Sequence, residues 1–323
     1  LVDNLAVVER RARRPPVLRV LRAVAIGMAV LCLVLPLAVH LLLPRDEVTG
    51  LADGGRPLHV LITGSDSREG LSAQERVELT TGNAAGARAD TILLLTIDGA
   101  RVGLLSFPRD LSVTRCDGSV GRINGALAIG GPSCLVETVG TLSGITVHHH
   151  VAVTFGGFRD VVDAVGGVEL CLEKPLRDRS AGIDLPAGCQ ELDGRDALGY
   201  VRVRKVDSDF ARVERQQRFL RALAGELASP GLLVQPWRLV PAVIGVSRAV
   251  RVDQRLDPID LARIAVGLRV LSSGGAVTAT VPADGFRAPS GAALLRVRAA
   301  EAETLFLGFA DGSLLRAGDG GDG

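Results

Sequence analysis

Between Ala23 and Pro44 the chain carries no Asp, Glu, Lys or Arg. The run AVAIGMAVLCLVLPLAVHLLLP is close to the roughly 20 apolar residues that cross a bilayer core, so it reads as a transmembrane helix. Pro36 is tolerated in such helices, and His40 stands near the far end, where a polar ring reaches the interface. A cleaved signal peptide shares the basic-then-apolar pattern. The apolar run is too long for a typical signal core, however, and no A-x-A-like site stands before the charges that follow it. Arg10, Arg11, Arg13, Arg14, Arg19 and Arg22 precede the span, whereas Arg45, Asp46 and Glu47 follow it. By the positive-inside rule the N-terminus is cytoplasmic, and everything beyond Pro44 faces away from the cytoplasm.

The resulting expectation is a single-pass cell-membrane protein with five parts. These are a basic cytoplasmic tail (1–22), the span (23–44), a Gly- and Pro-containing linker (45–57), one domain (58–310), and a disordered tail ending GDGGDG (311–323). The formal net charge of +1 argues against a general polyanion partner, and no nucleic-acid role is expected. Aromatic content is only 3%, so the core must be aliphatic and sugar recognition by stacking is limited.

Cys32 lies within the span, and the other four cysteines form two pairs of equal separation, Cys116 with Cys134 and Cys171 with Cys189. An extracytoplasmic compartment permits disulfides, and we expect these two. Four buried thiols are the alternative. The absence of C-x-x-C argues against a zinc site.

Leu58–Thr63 (LHVLIT), Thr91–Ile97 (TILLLTI) and Val102–Ser106 are short aliphatic runs of the kind found in strands covered on both faces. Phe158–Val165 has helical spacing before Gly166 and Gly167, and Ala211–Leu227 is an amphipathic helix stopped near Pro230. Strands alternating with helices imply a layered α/β domain.

Tyr200–Gln217 (YVRVRKVDSDFARVERQQ) reads as a strand-like run presenting Arg202 and Arg204 on one face, then a helical run presenting Arg212 and Gln216 on one face. Forked guanidinium donors match phosphate oxygens, so this pattern suits a pyrophosphate; the alternative is a solvated charged face. Asp66 and Asp90 stand at expected strand ends. They are hard oxygen ligands suited to Mg²⁺, although an isolated Asp is as readily a turn or helix cap.

The series GSDSR (64–68), RADT (88–91), FPRD (107–110), RINGA (122–126), F-x-x-VVDAVGGVEL (158–170), L-x-G-x-x-ALGYVRVR (192–204) and DFARVERQQR (209–218) resembles the LytR-CpsA-Psr family of cell-wall glycopolymer ligases. The likeness runs in order from about Arg56 to Leu227, with a weaker continuation to about Pro289. The resemblance implies an α-β-α layered extracytoplasmic domain with a mixed central sheet. It also implies a phosphotransferase that moves a glycopolymer from a polyprenyl pyrophosphate carrier to peptidoglycan through a phosphodiester, releasing polyprenyl phosphate. Carried over motif by motif, Arg88, Arg109, Arg202, Arg204, Arg212 and Gln216 would hold the pyrophosphate. Asp66 and Asp90 would hold Mg²⁺ or assist deprotonation of the acceptor, with Arg109 also counted as catalytic. The lipid would need an apolar tunnel between sheet and helices. A polyprenyl pyrophosphate hydrolase and a non-enzymatic membrane-bound regulator are the alternative functions.

The chain departs from the family pattern at Ser208 and Ala211, and by about ten extra residues within 69–87. His148, His149 and His150 also stand where the family tends to have an aromatic. A shared metal is disfavoured for this trio, because adjacent strand residues point to opposite faces.

Overall fold

The computed structural model describes residues 37, 39–65, 89–203, 209–227, 229 and 235–317, with backbone alone at 65, 90, 155–156, 209–213, 236–239 and 317. In chain order the elements begin with β1 (Arg45–Asp46), β2 (Leu58–Ser65), β3 (Ala89–Asp98), β4 (Arg101–Ser106), β5 (Ser112–Thr114), β6 (Val120–Arg122) and a 3-10 turn (Ile123–Gly125). Next come α1 (Ala126–Ser143), β7 (His149–Thr154), α2 (Phe155–Val165), β8 (Val168–Leu172), β9 (Leu176–Asp178), β10 (Ile183–Leu185), β11 (Gly188–Leu192) and α3 (Gly194–Arg202). The rest are α4 (Asp209–Leu227), α5 (Pro236–Ala249), β12 (Val250–Asp253), α6 (Pro258–Ser272), β13 (Ala276–Thr280), β14 (Ala283–Arg287), β15 (Ala293–Val297), α7 (Ala299–Ala310) and α8 (Ser313–Ala317).

The central sheet has seven strands in the order β1-β12-β7-β2-β3-β4-β13. β2, β3 and β4 form an antiparallel meander, while β7 joins β2 and β13 joins β4 in parallel, so the sheet is mixed as expected. The register explains the aliphatic runs. Leu61, Leu94 and Leu105 align across three strands and enter one core cluster, whereas Val60, Leu95 and Leu104 align one residue away and enter another on the opposite face. Period-two alternation with both faces covered favours aliphatic residues in the strand centres, with Thr63 and Thr96 as buried exceptions. α1 and α7 carry residues of the first cluster, and α6 carries Ile264 and Leu271 into the second. A third cluster joins α2–α5 with the small strands β8–β11.

Both expected disulfides form. Cys116–Cys134 ties the loop after β5 to α1 with a Cα separation of 5.2 Å, and Cys171–Cys189 links directly paired residues of β8 and β11 with a Cα separation of 3.8 Å.

Three expectations need correction. The 45–57 stretch is not a free linker: β1 pairs with β12, Val48 and Leu51 are buried, and Val48 exchanges hydrogen bonds with the Gln254 amide. Apolar side chains at positions 48 and 51 outweigh the Gly and Pro content around them. Residues 311–317 also pack on the domain: Leu315 is buried, and Arg316 Nη1 contacts Asp98 Oδ2 at 2.9 Å. Finally, the run through Arg202 is helical rather than strand-like. Asp193 caps α3 by accepting from the Asp196 amide, and Ala197, Leu198 and Tyr200 are buried at helical spacing, so packing overrides the β-branched Val201, and the chain turns extended only at Val203.

No helix among the described residues is long and apolar enough to cross a membrane. Most of the expected span, with Cys32, lies outside those residues, as does the terminal 318–323.

Candidate active site

β4 ends at Ser106, and the FPRD motif turns away from it. The buried Phe107 donates its amide to Ile92 O, and the Leu111 amide closes the turn on Pro108 O at 3.1 Å. This turn presents Arg109, whose side chain is 18% exposed. Asp110 Oδ2 accepts from Arg109 Nε at 3.2 Å, and its Oδ1 accepts from Arg122 Nε at 2.7 Å. Arg109 O accepts from the Asn124 amide at 3.3 Å, and Asp110 O accepts from the Leu295 amide at 3.0 Å. The FPRD and RINGA motifs are thus two halves of one support, a contact that neither motif signals by itself.

The second support is α4. Arg215 Nη2 donates to Val203 O at 3.0 Å, and Gln216 Nε2 donates to Val201 O at 3.4 Å. Val201 lies in the last turn of α3, where helix carbonyls lack intrahelical partners, so side chains from α4 satisfy them. Gln217 Nε2 donates at 2.8 Å to Ser106 Oγ, at the base of the FPRD turn. Three consecutive residues therefore fix the end of α3, which carries the half-buried Arg202, and the end of β4, which leads to Arg109. Tyr200, a buried residue of α3, has its phenol pKa pushed up by burial against the opposing charges of Arg218 and Arg215.

Of the expected site residues, Arg109, Arg202 and Gln216 are brought to adjoining segments by these contacts. Asp66, Arg88 and Arg204 lie outside the described residues. Asp90 in β3 and Arg212 in α4 are described as backbone only. Sequence reasoning did not single out Arg215, Gln217, Ser106 or Asp110. The signal available for the first two was their position inside ERQQR, where Arg215 neighbours Arg212 at i+3 and Gln217 follows Gln216 directly.

The three histidines diverge. The His148 ring accepts from the His59 amide and stacks on the His59 ring, and His150 Nε2 meets Thr63 Oγ1 at 3.0 Å. His149 bridges Asp253 Oδ2 at 3.0 Å and Asp260 Oδ2 at 3.1 Å. Burial opposes the charged His149 ring, but the hydrogen bonds and charges of the two carboxylates outweigh it and raise its pKa. Those same contacts, acting against burial, lower the pKa values of Asp253 and Asp260.

Known proteins resemble this chain in sequence and in fold. Residues 44–305 match the LytR_cpsA_psr family. A probable cell wall biosynthesis protein LcpB of Corynebacterium glutamicum is 41% identical over 231 residues, covering 70% of this chain and 54% of that protein. A polyisoprenyl-teichoic acid–peptidoglycan teichoic acid transferase TagU of Halalkalibacterium halodurans is 32% identical, covering 62% of each chain. The chain thus spans little more than half the length of these curated relatives. The crystal structure of Bacillus subtilis TagV superposes with a TM-score of 0.63 at 23% identity, covering 82% of this chain and 98% of that one, so the fold is the same. The matched span encloses the mixed sheet, both disulfides and every motif around Arg109, Arg202 and Gln216, and the chain belongs to the LytR_cpsA_psr family.

Proposed function

We propose that this protein is a membrane-anchored phosphotransferase, moving a glycopolymer from a polyprenyl pyrophosphate carrier to peptidoglycan outside the cytoplasm. An acceptor hydroxyl oxygen attacks the glycan-linked phosphorus, and a new P–O bond forms as the bond to polyprenyl phosphate breaks. The hydroxyl proton leaves to a carboxylate or to water. Such chemistry needs positioned positive charge more than covalent participation.

The observation that carries this reading is the joining of the Arg109 turn and the Arg202 helix end by Arg215, Gln216 and Gln217. Together with Arg88, Arg204 and Arg212, these segments would cradle the pyrophosphate. The naming of TagU as a teichoic acid transferase supports the substrate class. Mg²⁺ held by Asp66 and Asp90 belongs to the same proposal. Ser65 pairs with Ala89 across β2 and β3, and these are the residues just before the two aspartates. Two carboxylates suit a hard cation, which would neutralise charge on the leaving phosphate.

The test is incubation of the full chain with a polyprenyl-pyrophosphate-linked oligosaccharide, with and without peptidoglycan fragments. Glycan joined to peptidoglycan by a phosphodiester is the expected product. Glycan phosphate released equally without acceptor would replace this reading by a hydrolase, and no turnover of the carrier would overturn both.

A further inference from the structure

Among the described residues, large apolar side chains are left exposed in several places, including Val240 and Ile244 on α5, and two of these places share one region of the domain. Leu41 and Leu42, 74% and 54% exposed, lie on the last turn of the Ala23–Pro44 run. Ile259 and Val266, 72% and 54% exposed, lie on α6. The two segments are neighbours: Val39 and Leu43 pack into the same core cluster as Leu261, Ile264 and Leu268 of α6. Arg45, which follows the run, donates to Gln254 O and to Leu256 O just ahead of α6.

Helix α6 buries Ile264, Gly267 and Leu271 toward the sheet. Ile259 and Val266 stand seven apart, two turns along the same opposite face, about 10 Å from one another. A helix on the surface of a water-facing domain ordinarily carries polar residues there, and an apolar outer face marks contact with a partner or a membrane. The chain itself indicates which. The residues leading into Leu43 are the uncharged run read as a bilayer span, and the end of that run packs into the same core cluster as α6.

We infer that the outer face of α6 lies flat on the membrane surface, with Ile259 and Val266 inserted among the lipid headgroups and upper acyl chains. The inference rests on the anchoring proposed above and goes beyond it, because a span alone leaves the domain free to tilt. With α6 held against the bilayer the domain has one orientation, so the Arg109 and Arg202 segments stand at a fixed height above a lipid-borne substrate. An inserted apolar helix face of this kind gains by burying area in the interface.

The test uses the full chain with Trp237→Phe, so that a single introduced tryptophan reports. Ile259→Trp and Val266→Trp are compared with Val120→Trp and Leu307→Trp, at exposed positions 71% and 63% accessible on other elements. Each protein is reconstituted in phosphatidylcholine–phosphatidylglycerol vesicles, with or without brominated acyl chains, and recovered by flotation. The expected result is blue-shifted emission quenched by bromine at 259 and 266 alone. Emission at 259 and 266 quenched no more than at 120 and 307, in protein that floats, overturns the inference and leaves the anchor intact. A blue shift without quenching assigns the face to protein, such as a second copy, and also overturns it. A full chain that does not float with vesicles sinks the anchor, and this inference with it.

Discussion

The amide of Gln217 donates a 2.8 Å hydrogen bond to the hydroxyl of Ser106, joining α4 to the end of β4 across 111 residues of sequence. Both residues are buried, so each supplies the polar partner that the other would otherwise lack. Gln217→Leu leaves the Ser106 hydroxyl stranded and should cost about 1–3 kcal/mol in denaturant unfolding. Transfer should fall by more than stability alone explains, because the Arg109 turn loses its anchor. Ser106→Ala with Gln217→Leu should recover stability without recovering activity.

Arg109→Ala should lower the transfer rate by about 10² to 10³, as removal of one charged contact in a desolvated site does. Arg109→Lys keeps the charge but not the fork held by Asp110, and should recover only part. Asp110→Asn should weaken the same arginine indirectly. Single-turnover transfer with a labelled carrier measures all three, and unchanged rates would remove Arg109 from the proposed cradle.

The two disulfides should be separable. Cys116→Ser with Cys134→Ser, and Cys171→Ser with Cys189→Ser, should each lower unfolding free energy by about 3 kcal/mol in the chain-entropy model. Mass spectrometry of unreduced wild-type peptides should recover the two native pairs and no crossed ones.

The His149 contacts predict a pH-dependent contribution. Its folded pKa is raised, by Asp253 and Asp260 acting against burial, so its stabilisation is full below the unfolded value of about 6.5. It is lost as pH rises through the folded value. His149→Gln should therefore cost about 3 kcal/mol at pH 6, and progressively less as pH rises through the folded value, read by urea unfolding across an alkaline pH series.

His150 and His59 act in the opposite direction. Burial lowers each to about 4, with the charge of His148 adding to the effect at His59. A depressed folded pKa contributes stability that is present above about pH 6.5 and lost as pH falls toward 4. The wild type should lose up to roughly 3 kcal/mol per ring across that window. His150→Leu should show a shallower acid transition while being less stable at neutral pH, because Thr63 loses its partner. A thermal melt series from pH 7 to 4 measures both effects.

Much of the sheet was legible because β2, β3 and β4 are covered on both faces. Two-sided burial favours aliphatic residues in strand centres, and Leu61, Leu94 and Leu105 stand out without any knowledge of their neighbours. The disulfide pairs were legible from spacing: Cys116–Cys134 and Cys171–Cys189 each close a short loop of the same length. The order of the motifs identified the family, and with it Arg109, Arg202 and Gln216 as site candidates.

The tertiary structure decided what depends on contacts distant in sequence. Val201 and Val203 favour a strand locally, yet burial of Ala197, Leu198 and Tyr200 makes the segment helical through Arg202. Residues 45–57 have the composition of a linker, and only pairing of β1 with β12 and the Gln254 contact bind them down. The histidine run is three neighbours in sequence, but strand geometry sends His148 to His59, His149 to two aspartates and His150 to Thr63. Periodicity reports how a residue faces its own element. Which partner meets that face is settled by chain that returns a hundred residues later, as Gln217 returns to Ser106.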